Sequence, residues 1–338
     1  MKRFIAELRG LLDSGRDAVV AAVVAHAGST PRSSGAMMAI LKDGSIRGSV
    51  GGGILEAKVM ELAPSLFENG GAVLKPFLLT GAEAASLGMA CGGDVTVFAL
   101  HVPATPEQKA LYAALAEELD AGRQCYLLTD MDGPDEVLRP LFRRLLREGE
   151  AAPGFPKPGR LARLAREERG LRLLEPFAPA HALHLAGAGH VSFFTARLAA
   201  GVGFQVTVLD DREEFANRER FPEARAVRVV PDFADCFAEG LGPRDFAAIM
   251  TRGHLHDKTV LARALNTQAG YIGMIGSKKK RASTYAALLK EGFAQSDLDR
   301  VHCPIGLAIG AETPEEIAVS IVGELIKARA GLDAKAGA

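Results

Sequence analysis

The sequence predicts an α/β protein in two parts. Residues 1–150 read as a mixed α/β domain, and residues 181–338 read as a doubly wound parallel-sheet domain. Three observations predict this. From residue 181 onward, apolar β-runs alternate with helical segments, the pattern that sandwiches a parallel sheet between helices. Two glycine-rich turns, "GSVGGG" at 48–53 and "GAG" at 187–189, each stand before a helix-like stretch. Between the halves, residues 151–180 carry prolines at 153, 156, 158, 176 and 179 and read as a linker holding a short basic helix.

Composition narrows the function. A chain of 338 residues suits two domains of about 150 residues each. It is 48% hydrophobic and 24% charged with a net charge of −1, which excludes a basic nucleic-acid-binding protein. No apolar run reaches the roughly 18 residues of a membrane span. "MKR" and "AVVAAVVAHA" imitate a signal peptide, but Glu7, Arg9, Asp13, Arg16 and Asp17 stand between them, so the protein is read as cytoplasmic. Four scattered cysteines with no C-x-x-C form neither a disulfide framework nor a zinc site.

In the first part, residues 18–27 read as a buried strand, "GSTPRSSG" as a loop, and "AMMAILKDG" as a strand ending in a turn. Leu55, Val59, Leu62 and Leu66 recur at helical spacing and predict one helix ending near "NGG". "AVLKPFLLT", "DVTVFALHV" and "QCYLLTD" predict strands, and "TPEQKALYAALAEELDAG" a helix with Pro106 in its first turn. In the second part, "ALHLAG", "QVTVLDD", "ARAVRVV", "AAIMT" and "GYIGMIG" predict five strands. The last helix starts at Thr313, with Pro314 next and Glu316 closing a capping box.

Gly187, Gly189 and Ser192 fall on the G-x-G-x-x-G positions, after the first strand and at the head of a helix. That is the phosphate-binding turn of a Rossmann-like fold. Asp210, at the end of the second strand, is the residue expected to bond a ribose hydroxyl, so NAD(P) or another nucleotide is a candidate ligand. With a 3-2-1-4-5 strand order, His190, Arg252, His254, His256 and Asp257 gather on one sheet edge. His254, His256 and Asp257 could bind a metal; ligand contacts are the preferred reading, since no further ligands are evident. In "GSKKKRAS", Ser277 reads as an N-cap followed by Lys278, Lys279, Lys280 and Arg281. Cations there oppose the helix dipole unless an anion is bound.

The blocks "AHAGSTPRSSGAMMAILKDGSIRGSVGGGILE", "GMACGGDVTVF", "LAGAGHV", "MTRGHLHD", "YIGMIGSKKKR" and "PIGLAIGAETPEEIAVSI" resemble, in order, the xanthine dehydrogenase accessory protein family, XdhC/CoxI. The resemblance implies a chaperone that binds molybdenum cofactor (molybdopterin or its nucleotide form) and supports its sulfuration with a cysteine desulfurase. It then inserts the cofactor into an apo molybdenum hydroxylase. It also implies a homodimer and a Rossmann C-terminal half. Many relatives carry cysteine where Ile54 stands here, which leaves Cys91 as the candidate thiol of the N-terminal half. Cys125, Cys236 and Cys303 read as packing residues.

The first glycine turn then reads as a second anion cradle. Gly51, Gly52 and Gly53 offer amides at a helix head, and Arg32 could pair bidentately with an anion. Glu56 would bond pterin nitrogens or merely favour the helix dipole. The basic segment "RPLFRRLLREG" is a candidate docking surface. A non-catalytic cofactor chaperone is the preferred reading. The alternatives are an NAD(P)-dependent oxidoreductase, with His254 as its acid–base group, and a nucleotide-binding regulator.

Overall fold

The computed structural model describes residues 1–28, 35–79, 93–155, 159, 161–167, 170–252 and 254–335. The chain divides into two compact units, Met1–Pro179 and Ala180–Ala338.

Unit 1 opens with helix α1 (Lys2–Asp13) and continues through strands β1 (Ala18–Gly28), β2 (Met37–Ile40) and β3 (Ile46–Gly48). Helices α2 (Gly53–Met60) and α3 (Ala63–Asn69) lead to β4 (Ala72–Leu79) and β5 (Gly93–Val102). These strands form an antiparallel sheet in the order β3-β2-β1-β5-β4. The β1 run is apolar without interruption because both its faces are covered. Val20, Ala22 and Val24 join the core holding α1, while Val19, Ala21 and Val23 join the core holding α2 and α3. The single helix expected over 55–66 is two helices. Pro64 lies in the first turn of α3, where its missing N–H is harmless, but it could not continue α2.

Helix α4 (Pro106–Asp120), capped by Thr105 Oγ1, packs beside α1. It leads into β6 (Cys125–Asp132), β7 (Arg139–Arg147), β8 (Arg163–Glu167) and β9 (Gly170–Phe177), a second antiparallel sheet ordered β7-β6-β9-β8. The expected linker over 151–180 is therefore corrected. It carries no helix among the described residues, and the β8–β9 hairpin pairs with β6 along the whole length of that strand. Leu171, Leu173 and Phe177 alternate into the core shared with α4, a period of two that the proline content obscured. The basic segment is edge strand β7, with Arg143 and Arg147 folded back onto Tyr112 and Glu118.

Unit 2 begins with β10 (Ala182–Ala186), α5 (His190–Gly201), β11 (Gln205–Asp210) and β12 (Ala226–Val229). It continues with β13 (Asp245–Ile249), α6 (His254–Leu265), β14 (Tyr271–Met274) and α7 (Lys278–Lys290). A short α8 (Gln295–Leu298), β15 (Val301–His302) and α9 (Pro314–Lys335) complete it. All strand pairs are parallel, in the order β12-β11-β10-β13-β14-β15. This is the expected doubly wound order, extended by one short strand. α5 and α9 cover one face of the sheet, and α6 and α7 cover the other. Thr313 and Glu316 exchange bonds through Glu316 N to Thr313 Oγ1 (3.3 Å) and Thr313 N to Glu316 Oε2 (3.2 Å), so the capping box forms.

Candidate functional site

The carboxyl ends of β10, β11, β13 and β14 leave the parallel sheet on one edge, and β10 is flanked there by β11 and β13. In such sheets this is where ligands bind. Gly187 makes the turn possible. Its φ is +111°, and a Cβ there would lie 2.2 Å from the Met250 carbonyl oxygen, so only glycine lets β10 pass so close to the exit of β13. Gly189 has an ordinary φ of −71°, and a Cβ there would meet nothing within 4 Å. No side chain caps α5. His190, its first residue, is exposed.

Asp210 is corrected. It is 1% exposed, and its carboxylate is committed to the chain itself. Oδ2 accepts from Ala188 N at 2.7 Å and from Arg212, while Oδ1 accepts from the Arg212 backbone and guanidinium. Four donors fill its acceptor sites and leave none for a ribose hydroxyl. Burial pushes its pKa up, but the Arg212 guanidinium and the two amides outweigh that and hold the carboxyl below its ordinary value. Asp210 thus braces the glycine turn from beneath.

Two residues that sequence reasoning missed stand at the same edge. Asp211 accepts from Arg252 at 2.6 Å, tying the loop after β11 to the loop after β13. Arg220 lies among Phe193, Phe215 and Phe221 and reaches the Ala188 carbonyl at 3.4 Å. Nothing in the run "NRERF" marks Arg220 as different from its charged neighbours; only folding brings it to the turn.

The proposed metal group is also corrected. Asp257 is fully buried; Oδ1 accepts from Thr251 N at 3.2 Å and Thr251 Oγ1 at 2.6 Å, and Oδ2 pairs with Lys280. His256 packs its ring against Phe233, 5.0 Å between centroids. His254 opens α6, and its side chain lies outside the described residues. Among the described residues no three His, Cys, Asp or Glu side chains converge as a metal site would. The basic run is divided as well. Lys280 neutralises Asp257 and Arg281 donates to the Cys303 carbonyl at 2.9 Å, while Lys278 and Lys279 stand exposed at the head of α7, which Ser277 caps.

In unit 1 the first glycine turn runs through three positive φ values, 143°, 80° and 57° at Gly51, Gly52 and Gly53, which is why three glycines stand together. Ser49 Oγ accepts from Gly51 N at 3.1 Å, and Glu56 Oε1 accepts from Gly52 N at 3.1 Å. Glu56 therefore caps its own helix, which fits the dipole reading; one of its oxygens is not free for a pterin. Arg32 and Cys91 lie outside the described residues. Cys125, Cys236 and Cys303 are buried, and burial pushes the first two thiols up to about 12.

Comparison with known proteins gives matches in both units. The XdhC and CoxI family profile matches residues 11–77, and the XdhC Rossmann domain profile matches residues 183–325. The chain belongs to the XdhC/CoxI family. Among XdhC/CoxI relatives, a Bacillus subtilis (strain 168) protein, described as a probable xanthine dehydrogenase subunit, is 29% identical over 348 residues, covering 97% of this chain and 98% of its own. The uncharacterized Escherichia coli (strain K12) protein YqeB is 27% identical over 316 residues; these are 92% of this chain but 43% of YqeB. A solved structure described as a xanthine dehydrogenase from Bacillus halodurans has a TM-score of 0.78 at 25% identity, covering 97% of this chain and 96% of that one. The XdhC Rossmann profile spans the glycine turn, Asp210, Arg252 and Lys278, so the whole sheet edge described above falls inside it. No helix among the described residues is long and apolar enough to cross a membrane.

Proposed function

We propose that this chain is a maturation factor for a molybdenum hydroxylase of the xanthine dehydrogenase, aldehyde oxidoreductase or carbon monoxide dehydrogenase type. It carries molybdenum cofactor, as molybdopterin or its nucleotide form, as cargo. It holds the cargo while a cysteine desulfurase supplies sulfur, then passes it to the apoenzyme, working as a cytoplasmic homodimer. The observation that carries this reading is membership of the XdhC/CoxI family in both units, beside a full-length relative named for xanthine dehydrogenase.

In this reading the cargo's phosphate lies against the amides of Gly189 and His190 at the head of α5. Arg252, Arg220 and Lys278 supply positive charge from neighbouring loops. Gly51, Gly52, Gly53, Arg32 and Cys91 form the second contact region, in unit 1. The oxidoreductase alternative is weakened by Asp210, because the carboxylate that would read a ribose is consumed by Ala188 and Arg212.

The test is to purify the chain from cells that make molybdenum cofactor and to oxidise it. Fluorescent pterin at near-stoichiometric yield is expected. Coexpression with a hydroxylase should raise the fraction of sulfurated client. NAD(H) without pterin would overturn the reading in favour of the oxidoreductase, and neither ligand would leave a regulator.

A further inference from the structure

A cavity of about 380 Å³ opens beside the first glycine turn. Met1, Arg3, Phe4 and Glu7 of the α1 end line one side, and Met37 and Ser49 line another. Its chemistry is mixed in a specific way. Phe4 and Met37 supply apolar surface, while Ser49 and Glu7 supply polar atoms. Ser49 Oγ accepts from Gly51 N at 3.1 Å, so its own hydroxyl proton is directed elsewhere. Glu7 is the only carboxylate among the described residues that line the cavity. One of its oxygens, Oε1, is 2.8 Å from Arg3 Nε, but the Arg3 side chain is 93% exposed. An ion pair that open to water contributes little and exchanges readily.

A carboxylate only accepts hydrogen bonds, and its two oxygens match two adjacent N–H donors. A flat ring between apolar walls that presents two such donors on one edge is a 2-amino-4-oxopyrimidine. Its ring N–H and exocyclic amino group form the pair, and its 4-oxo group accepts a hydroxyl proton. Pterins and guanine share this edge. We infer that the cavity beside the first glycine turn is a recognition site for a 2-amino-4-oxopyrimidine ring. Glu7 accepts from its amidine edge and Ser49 donates to its oxygen. The inference rests on the reading that the chain carries a pterin cargo, and it adds a residue outside the matched family segment, which begins at residue 11.

The experiment titrates the full-length chain with pterin, with lumazine and with guanosine monophosphate, by calorimetry. Lumazine keeps the pteridine ring but has an oxygen in place of the amino group. Wild type should prefer pterin over lumazine by about tenfold, the size of one charge-assisted bond. Glu7→Gln should lose that preference by weakening pterin alone. Circular dichroism should be unchanged, because the Glu7 side chain is 34% exposed and its partner Arg3 faces solvent. Glu7-dependent binding of guanosine monophosphate that exceeds pterin binding would support the site and assign it to a nucleotide.

Equal affinity for pterin and lumazine, a preference that survives Glu7→Gln, or no binding of any ring would each overturn the inference. The pterin content of Glu7→Gln purified from cofactor-making cells separates the two claims. Undiminished pterin overturns the cavity and leaves the cargo reading intact. Absence of pterin from wild type overturns the cargo reading, and the titrations then decide the cavity alone.

Discussion

Replacing Gly187 by alanine places a methyl carbon 2.2 Å from Met250 O, 2.6 Å from Met250 C and 2.9 Å from Thr251 N. All three are backbone atoms, so no rotamer change relieves the contact. The exit of β13 must move away from β10, yet Met250 N donates to Ala186 O at 2.8 Å and holds the two together. A side chain at φ +111° adds its own strain. The contributions are about 1–3 kcal/mol for the backbone conformation, about 1–3 for overpacking and about 1 for the lost hydrogen bond. Their sum, roughly 3–6 kcal/mol, is a large share of the 5–15 kcal/mol typical of a folded domain. At Gly189 the same substitution meets nothing within 4 Å and keeps φ at −71°, so it should change stability by less than about 0.5 kcal/mol. Urea denaturation followed by circular dichroism measures both. Gly189→Val should stay folded and lose bound pterin and its response to phosphate compounds. Wild-type stability in Gly187→Ala, or a Gly189→Ala variant as unstable as Gly187→Ala, would refute the reasoning.

Three further outcomes are expected. Asp210→Asn removes the charge that accepts from Ala188 and Arg212 and should cost about 2–4 kcal/mol, read as a lower melting temperature of the C-terminal unit. Lys280→Met leaves the fully buried Asp257 carboxylate without its cation and should cost about 3–5 kcal/mol, whereas Lys278→Ala should shift the melting curve hardly at all. Glu118 is held at about 2 by the Arg123 guanidinium, against burial and with help from Arg147. Its folded pKa is depressed below 4.5, so the stability it contributes is full above that pH and fades as pH falls toward 2. Denaturation midpoints of Glu118→Gln and wild type should converge over that window.

The doubly wound half was legible because its signals are local. Each strand is a short apolar run, the glycine turn sits between strand and helix, and Thr313 with Glu316 announces the last helix over four residues. The paired sheet over 125–177 was not legible, because its strands β7 to β9 earn their place by pairing. Prolines at 153, 156 and 158 looked like a linker when only composition was read. Within the site, the sequence alone determined which glycines make the turn, since positive φ and close backbone approach leave no other choice. The partners of the charged groups were decided by tertiary structure. Asp210 and Asp257 look like ligand contacts in a string of residues, yet the fold buries both, and a buried carboxylate must be paired within the chain. Arg220 looks like one surface charge among several, and packing against three phenylalanines carries it to the turn. Local backbone geometry is written in neighbouring residues; the assignment of charges to partners depends on what burial does to each of them, and burial exists only once the chain has folded.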